Sequence, residues 1–387
     1  MALALLAGYV GYSGVGAWMA VAPLFALAWG MSTGRRHAFL IGLAYYAAAG
    51  RGLFHGGGVF FAGVDTREAE SMMWGGFVWL APSILLATVW GLCWSVRRLC
   101  VGASIALLLV SIPPVGQIGW ANPLSSAGFW FPGMGWFGLL LMAATMLAMV
   151  RWGSIVATSG VRFDKSIVVI VGAMMAVVLS NALWAAPPAP RGWVGVQTHL
   201  SRTDGWEALE SVQDAVGVAM KDKPRIIVLP EAVGGDWDLN KLYWATIAFE
   251  LRKNDVTVVL GADRALDSRR RVNALYTVGA EGGQEWPDRA PVPLGMWNPF
   301  SKTRHIVADF TGTGVRRLDG VDTLYLICYE QLLVWPVLRS AMLHPQALVG
   351  ASNLWWANGT SIPGIQKATL AAWGRLFNLP VVLAVND

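Results

Sequence analysis

The chain has 387 residues, of which 55% are hydrophobic and only 14% are charged. Soluble domains carry about 25% charged residues, so this composition argues against a wholly soluble chain and predicts a membrane protein. The net charge of +5 would suit a nucleic-acid partner, but the sequence has no basic stripe with interleaved aromatic residues. We therefore expect no direct binding to nucleic acid and assign the cations to membrane topology.

Long apolar runs are concentrated in the first half of the chain. Because a helix needs about 20 residues to cross the hydrocarbon core, we predict a polytopic α-helical transmembrane domain of about seven spans over residues 1–188. The first run is short for a full crossing, so it is either a re-entrant segment or a truncated span. The runs are 2–14, 16–31, 38–60, 73–95, 99–118, 133–150 and 166–186.

Three alternate loops between these runs are basic, whereas loop 61–72 is mainly acidic and loop 119–132 has no charge. The positive-inside rule places the basic loops in the cytoplasm of a multi-pass bacterial inner-membrane protein. The last span then leads outward, so residues 189–387 are predicted to lie in the periplasm. The basic residues are Arg35, Arg36 and His37 in the first loop, Arg97 and Arg98 in the second, and Arg151, Arg162 and Lys165 in the third.

Two polar residues, Arg51 and His55, fall inside the third apolar run. Charged groups at membrane depth are costly and usually face a cavity or a partner, which would suit contact with a lipid headgroup or a substrate. Alternatively, Arg51 marks the edge of a span and extends its guanidinium to the membrane surface.

A proline-rich segment, 185–192, separates the apolar half from a second domain, 189–387. Short apolar runs there alternate with longer amphipathic stretches, a pattern typical of an α/β domain with a mainly buried sheet. The predicted strands are 193–198, 225–232, 257–262, 273–279, 303–309, 322–328, 346–351 and 381–385, and the predicted helices are 205–220, 239–253, 332–343 and 363–378.

Three predicted strands end in residues that can carry chemistry, at the position where α/β sheets tend to place functional groups. Glu231 follows the first of these strands, and Cys328 follows the second, with Glu330 two residues further on. The third ends at Ser352 and Asn353, ahead of two tryptophans. Taken singly, Cys328 would be read as a small core residue and Glu231 as a turn residue. Their joint appearance favours an active site.

The chemistry of such a pair is well defined. A thiol attacks a carbonyl group only as the thiolate, so it needs a base. A carboxylate in an apolar pocket has a raised pKa, which fits it for that role. We therefore predict Cys328 as nucleophile and Glu231 as base, together with a cation or donor that stabilises the oxyanion. Histidines with metal-ligand spacing and a phosphate-binding loop are both missing from the sequence, so we expect no metal and no cofactor.

The strand-end motifs resemble those of the nitrilase, or carbon–nitrogen hydrolase, superfamily. They are Leu-Pro-Glu at 229–231, Ile-Cys-Tyr-Glu at 327–330 and Ser-Asn-x-Trp-Trp at 352–356. The preceding apolar spans narrow the resemblance to the branch that contains apolipoprotein N-acyltransferase. Segment 288–297 is similar to a family of conjugal plasmid transfer proteins related to that acyltransferase.

The resemblance implies a four-layer αββα sandwich with a Glu–Lys–Cys triad. It implies Glu231 as general base, Cys328 as the nucleophile that forms a thioester, and Glu330 as an additional carboxylate of the site. The loop that follows the next strand would contact substrate. The residues expected to bind substrate there are Asn353, Trp355 and Trp356.

This sequence departs from the family pattern at the lysine, because Asp288 occupies the position that the resemblance gives to it. The adjacent Arg289 can supply positive charge to an oxyanion, but arginine is a poor proton donor. The nearest lysine downstream, Lys302, has no place in the motif. The sequence stops after a strand that ends at Asn386, whereas the family continues with further strands, so either the α/β domain is shorter in this branch or the sequence is truncated.

Three functions stay open at this stage. The first is an N-acyltransferase or carbon–nitrogen hydrolase that acts on a membrane phospholipid or an amide, with a lipoprotein or a protein of the conjugation machinery as partner. The second is a catalytically impaired scaffold of that machinery. The third is a transporter, suggested only by the spans and Arg51.

Overall fold

The computed structural model describes residues 1–62, 68–200, 206–301, 303 and 305–387. These residues form two compact units. We predicted a single boundary between residues 188 and 189, whereas two later segments group with the first unit; the predicted division into domains otherwise stays a prediction. The first unit comprises Met1–Ala186, Leu332–Trp335 and Gly359–Asn378, and the second comprises Pro187–Gln331, Pro336–Asn358 and Leu379–Asp387.

The regular secondary structure of the first unit's described residues is helical. Three of its helices, α5, α8 and α9, are long and apolar enough to cross a membrane, and the other apolar runs form shorter helices. The helices are α1 (Ala2–Gly11), α2 (Leu24–Gly30), α3 (Arg35–Ala49), α4 (Gly52–Ala62), α5 (Glu68–Cys93), α6 (Leu99–Leu109), α7 (Ala127–Trp130), α8 (Gly135–Ser159) and α9 (Lys165–Leu183).

Two charged residues of this unit lie where the helices differ from the predicted apolar runs. The run 38–60 is not one span, because the helix breaks at Gly50 and Arg51 between α3 and α4. The Arg51 guanidinium donates to the carbonyl oxygen of Tyr12 at 3.2 Å and lies over the Tyr9 ring, 4.0 Å from its centroid. Arg51 therefore lies at the break between α3 and α4, where its guanidinium contacts residues at the end of α1.

Arg151 was expected in a loop but lies within α8, which continues to Ser159. Its guanidinium makes two parallel bonds to the Asp164 carboxylate, at 3.0 and 2.9 Å. Asp164 also accepts from the backbone N–H of Ser166 at 2.9 Å and so caps the start of α9. The arginine is therefore outside the loop, but it interacts with the residue that ends the loop.

The second unit contains two sheets, built from strands β1 to β11. The order in the first sheet is β1-β3-β4-β5-β6, with β7 also paired to β5, and the order in the second is β2-β11-β10-β9-β8. The strands are β1 (Trp193–Gly195), β2 (Gln197–Thr198), β3 (Ile226–Val228), β4 (Thr257–Ala265), β5 (Arg270–Gly279), β6 (Glu285–Pro287), β7 (His305–Ile306), β8 (Val315–Leu318), β9 (Val321–Ile327), β10 (Ala347–Asn353) and β11 (Val381–Asn386).

The run 193–198, predicted as one strand, divides between the two sheets. Its first part pairs with β3 and its last part pairs with β11, both in parallel. Strands β6 and β8 were not predicted, because each is short, lies at a sheet edge and lacks apolar alternation. The helices of this region are α10 (Trp206–Ala219), α11 (Trp237–Lys253), α12 (Val334–Ala341) and α13 (Ile362–Phe377).

Alternate residues of β3 face opposite layers of the second unit. Ile227 packs into a core with residues of α10 and α11, whereas Ile226 and Val228 pack into a core shared with the second sheet. Tyr325 of the second sheet meets Trp286 of the first there, with ring centroids 5.4 Å apart. Full burial of each large apolar side chain contributes roughly 1.5–3 kcal/mol, so the two cores hold the sheets face to face. The predicted fold class, an apolar helical region followed by an α/β sandwich, is confirmed.

Helix α13 groups with the first unit although the strands on either side of it belong to the second. It packs against α7, where a side chain at Gly128 would collide with the backbone of Ala372. Arg375 donates to the carbonyl oxygen of Gly128 at 3.1 Å and to the side chain of Asn181 at 2.7 Å. The crossover between β10 and β11 is therefore built into the helical unit.

Candidate active site

Glu231 stands at the end of β3, where the sheet continues to hold the backbone. Gly261 of β4 donates its N–H to the carbonyl oxygen of Pro230 at 3.1 Å. A side chain at Gly261 would collide with the backbone of Glu231 and Ala232, so only glycine fits at this position of β4. Ala232 then takes a left-handed conformation, with φ of 59°, and turns the chain away. The Glu231 carboxyl group is thereby fixed in a buried position.

Cys328 directly follows β9 and has a left-handed backbone conformation, with φ of 43°. A residue other than glycine pays about 1–3 kcal/mol for such a conformation, and it persists only where the surroundings impose it. Here Glu330 imposes it from two residues away, since its Oε2 accepts the N–H of Ile327 at 2.9 Å. The turn that carries the thiol is thus closed by the carboxylate of the same motif.

Glu330 is fully buried and forms an ion pair with Arg289, with 2.8 Å between Arg289 Nε and Glu330 Oε1. The same oxygen accepts the backbone N–H of Arg289 at 3.0 Å. The remaining guanidinium nitrogens donate to Ser340 Oγ at 2.7 Å and to the carbonyl oxygens of Tyr325 and Pro336, each at 3.2 Å. Arg289 is therefore directed at Glu330 and its surroundings. These contacts do not support its predicted role at an oxyanion.

Glycines make room for this guanidinium. A side chain at Gly314 would collide with Arg289, and one at Gly312 would lie 3.1 Å from its Cγ. Arg289 and Glu330 together position the turn around Cys328.

The Glu231 carboxyl group and the Cys328 thiol are hydrogen-bonded to each other. Glu231 Oε1 also accepts from the Asn273 side-chain amide at 2.7 Å, and Oε2 accepts from the backbone N–H of Asn353 at 3.2 Å. Burial raises the pKa of Glu231 to about 7, although the bonds from Cys328 and Asn273 oppose this rise. A carboxyl group with this pKa can both take and return a proton near neutral pH.

Burial also raises the pKa of the Cys328 thiol well above its usual value, and the neighbouring Glu231 adds to the rise. The thiol is consequently protonated at rest. It becomes a nucleophile only when its proton moves to Glu231, which couples attack to proton transfer.

Asp288 lies directly after β6 and is buried beside these groups. Its backbone N–H donates to the carbonyl oxygen of Asn273 at 2.8 Å, and its Oδ1 accepts the N–H of Ala290 at 3.0 Å. The Asn273 amide nitrogen that binds Glu231 also lies 3.4 Å from Asp288 Oδ2. Asn273 was missed by the sequence analysis, although a buried asparagine in the middle of an apolar strand was a usable signal.

The residues expected to bind substrate are placed in different ways. Asn353 ends β10, bonds Glu231 through its backbone, and accepts from Asn386 Nδ2 at 2.8 Å through its side chain. Trp356 packs on the core between the sheets and donates to the carbonyl oxygen of Asn353 at 3.0 Å. Trp355 is half-buried at the start of the turn Trp355–Ala357. The substrate-binding roles of all three stay predictions.

Within the described ranges of the chain, no three His, Cys, Asp or Glu residues are grouped so that they could hold a metal ion. Lys302, the nearest lysine downstream of the motif, lies outside the described residues.

Fold and site together define a protein with apolar helices and an α/β sandwich, in which a cysteine and a glutamate meet at strand ends. Over nearly its whole length the chain is similar to proteins described as conjugal transfer protein TraB. It is 32% identical to a probable TraB of Sinorhizobium fredii, covering 99% of this chain and 96% of that protein. It is 34% identical to TraB of Agrobacterium fabrum, covering 99% of this chain and 91% of that protein. The chain belongs to the TraB family of conjugal transfer proteins.

The chain is similar to an amidase of the nitrilase superfamily from Nesterenkonia, at 16% identity and a TM-score of 0.39, covering 51% of this chain and 78% of that one. No family model matches the chain.

Glu330→Gln tests the ion pair, because glutamine keeps the shape of the side chain but leaves the Arg289 guanidinium buried without a counter-ion. Breaking such a pair costs about 3–5 kcal/mol. We expect a clear fall in the midpoint of thermal unfolding of the detergent-solubilised chain. Glu250→Gln, at an exposed position of α11, is the matched control and should unfold close to the parent. Equal midpoints for the two variants would contradict the assigned role.

The pH dependence of thiol alkylation tests the Cys328–Glu231 pair. Glu231 accepts the thiol proton only when it is ionised, so alkylation by iodoacetamide should speed up as the pH rises through about 7. Peptide mass spectrometry at Cys328, in a Cys93→Ser/Cys100→Ser background, measures the rate. In Glu231→Gln that step should vanish, leaving only the rise at higher pH that belongs to the thiol itself. An unchanged profile in this variant would show that Glu231 is not the base.

Proposed function

We propose that the chain is an inner-membrane protein of conjugal plasmid transfer whose α/β sandwich forms a thioester at Cys328. The observation that carries this proposal is the hydrogen bond between a buried thiol and a carboxyl group with a pKa near 7. A residue that served only for packing would need neither the left-handed backbone at Cys328 nor the buried ion pair that supports it. The acyl group comes from a membrane phospholipid or from an amide.

The reaction is written from the groups in place. Glu231 takes the proton of the Cys328 thiol while the sulfur forms a bond to the acyl carbon. The tetrahedral intermediate collapses, the bond to the leaving group breaks, and Glu231 returns the proton to that group. An amine or water then attacks the thioester with Glu231 again as base, which restores the thiol. An amine acceptor makes the chain an N-acyltransferase, and its carrier is a lipoprotein or a protein of the conjugation machinery.

Mass spectrometry of the full chain, purified in native lipid, tests this reaction. We expect an acyl adduct on Cys328 that hydroxylamine removes, because hydroxylamine cleaves thioesters. Cys328→Ser should lack the adduct, whereas the control Cys93→Ser should retain it. An unmodified Cys328 that is also inert to acyl phosphonates would reject acyl-enzyme chemistry.

The second candidate is a noncatalytic scaffold of the conjugation machinery. One observation favours it: the Arg289 guanidinium is paired with Glu330, and Asp288 occupies the position where the resemblance expects lysine. The scaffold requires the fold but not the thiol. Plasmid transfer at the parental frequency by Cys328→Ser, with unmodified Cys328 in the parent, would favour it over the enzyme.

The location is part of the proposal. Three helices long and apolar enough to cross a membrane support membrane insertion, and the basic loops favour a periplasmic sandwich. Substituted cysteines test this: Ser268→Cys, at an exposed position of the sandwich, should react with an impermeant maleimide in spheroplasts. Ser159→Cys, exposed at the end of α8, should react only after lysis. The reverse pattern would place the sandwich in the cytoplasm.

A further inference from the structure

The active site contains more buried carboxyl groups than the one positive charge beside them can neutralise. Three buried carboxyl groups, those of Glu231, Asp288 and Glu330, lie close to one guanidinium, that of Arg289. Arg289 is fully engaged by Glu330 and by the neutral oxygens around it. Isolated carboxylates are too costly to keep ionised in such surroundings, so a proton must reside on the remaining pair.

Geometry shows how Glu231 and Asp288 share their surroundings. Both carboxyl groups contact the same nitrogen atom, Asn273 Nδ2, at 2.7 Å for Glu231 and 3.4 Å for Asp288. Glu231 has further donors in the Asn353 N–H and the Cys328 thiol, all of which favour its ionised form. Among the described residues, Asp288 accepts from the Ala290 N–H at 3.0 Å and from the shared Asn273 nitrogen at the longer distance. The proton is therefore better placed on Asp288 than on Glu231.

The charges around Asp288 also favour its protonated form. The groups that act on it are Glu330 after β9, Glu231 after β3 and Arg289 next to it in the chain, and it acts in turn on Cys328 and Tyr325. Burial is the largest cause that raises the pKa of Asp288 well above its usual range, and both glutamates add to it. Arg289 opposes the rise only weakly, since its charge is turned to Glu330.

We propose that Asp288 is a further catalytic residue, a buried carboxylic acid kept in its protonated form to donate a hydrogen bond to the oxyanion that forms when Cys328 attacks. Its Oδ1 accepts the Ala290 N–H at 3.0 Å, whereas its Oδ2 accepts the longer bond from Asn273 Nδ2 at 3.4 Å, so the proton belongs on Oδ2. A neutral acid is a donor without the charge that a carboxylate would set against the oxyanion. This inference rests on the proposed thioester chemistry.

The step balances without another reactant. The thiol proton moves to Glu231, the sulfur bonds to the acyl carbon, and the carbonyl π electrons move onto oxygen. The Asp288 proton stays on Oδ2 and hydrogen-bonds that oxygen. When the carbonyl group reforms, the leaving group departs with the proton from Glu231, and Asp288 is unchanged. Asp288 and Glu231 thus have opposite protonation states when the reaction begins.

The rate of Cys328 acylation by p-nitrophenyl butyrate tests the proposal in the detergent-solubilised full chain, followed by nitrophenolate release and adduct mass. Asp288→Ala should slow acylation about 10²- to 10³-fold, as loss of an oxyanion donor does elsewhere. Asp288→Asn keeps an N–H donor and should slow it less. The parent should lose rate at high pH as Asp288 ionises, and the Asn variant should lack this loss. Asp238→Asn, at a partly exposed aspartate of α11 outside the site, is the matched control and should behave as the parent.

Infrared spectroscopy provides a readout that does not depend on acylation. Above pH 7, where Glu231 is ionised, the parent should still show the C=O stretch of a protonated, buried carboxylic acid, and Asp288→Asn should lack that band. The proposal is overturned if the parent lacks the band, or if Asp288→Ala acylates at the parental rate and with the parental pH profile. A parent that shows the band but never acylates overturns the thioester chemistry, and the catalytic role falls with it. Unfolding midpoints of all variants establish that a slow variant is folded.

Discussion

The turn that carries Cys328 depends on the ion pair between Glu330 and Arg289. Glu330 is fully buried and accepts four N–H groups from two parts of the chain: one from the Ile327 backbone, one from the Arg289 backbone and two from the Arg289 guanidinium. A buried carboxylate is expensive unless it is paired in this way, and a left-handed cysteine is expensive unless its turn is closed. The contacts of Glu330 meet both requirements: they pair its buried charge with Arg289, and they close the turn that positions the Cys328 thiol.

Removing water from the site gives its two reactive groups complementary properties. Burial raises the pKa of both Glu231 and Cys328, but hydrogen bonds from Cys328, Asn273 and Asn353 hold the Glu231 pKa near 7 while the thiol pKa stays well above its usual value. The thiol is then inert until its proton has an acceptor, and the acceptor is adjacent. Nucleophilic reactivity is consequently set by a proton transfer inside the site, and not by a thiolate exposed to the solvent.

The sequence was sufficient to predict what depends on local pattern. Glu231, Cys328 and Glu330 stand at strand ends because each follows an apolar run, and the α/β alternation predicted both the strands and the fold class. What it could not predict depends on contacts between distant segments. Arg289 was assigned to the oxyanion because it adjoins the position where the motif expects lysine. Its observed partners, Glu330, Ser340 and Pro336, come together only in the folded chain. The division of run 193–198 between two sheets is equally invisible to an alternation pattern.

The packing of helix α13 also depends on contacts between distant segments and could not be predicted from the sequence. Its sequence predicted a helix at nearly the observed bounds, but its burial on most sides is what distinguishes it from a helix that covers a single sheet. It connects β10, which delivers the Asn353 N–H to Glu231, with β11, whose Asn386 binds the Asn353 side chain. Because α13 packs as part of the helical unit while both strands pair within the sandwich, the two compact units are joined by more than one passage of the chain. The two strands that orient the base through Asn353 are therefore connected to each other by a helix that packs on α7.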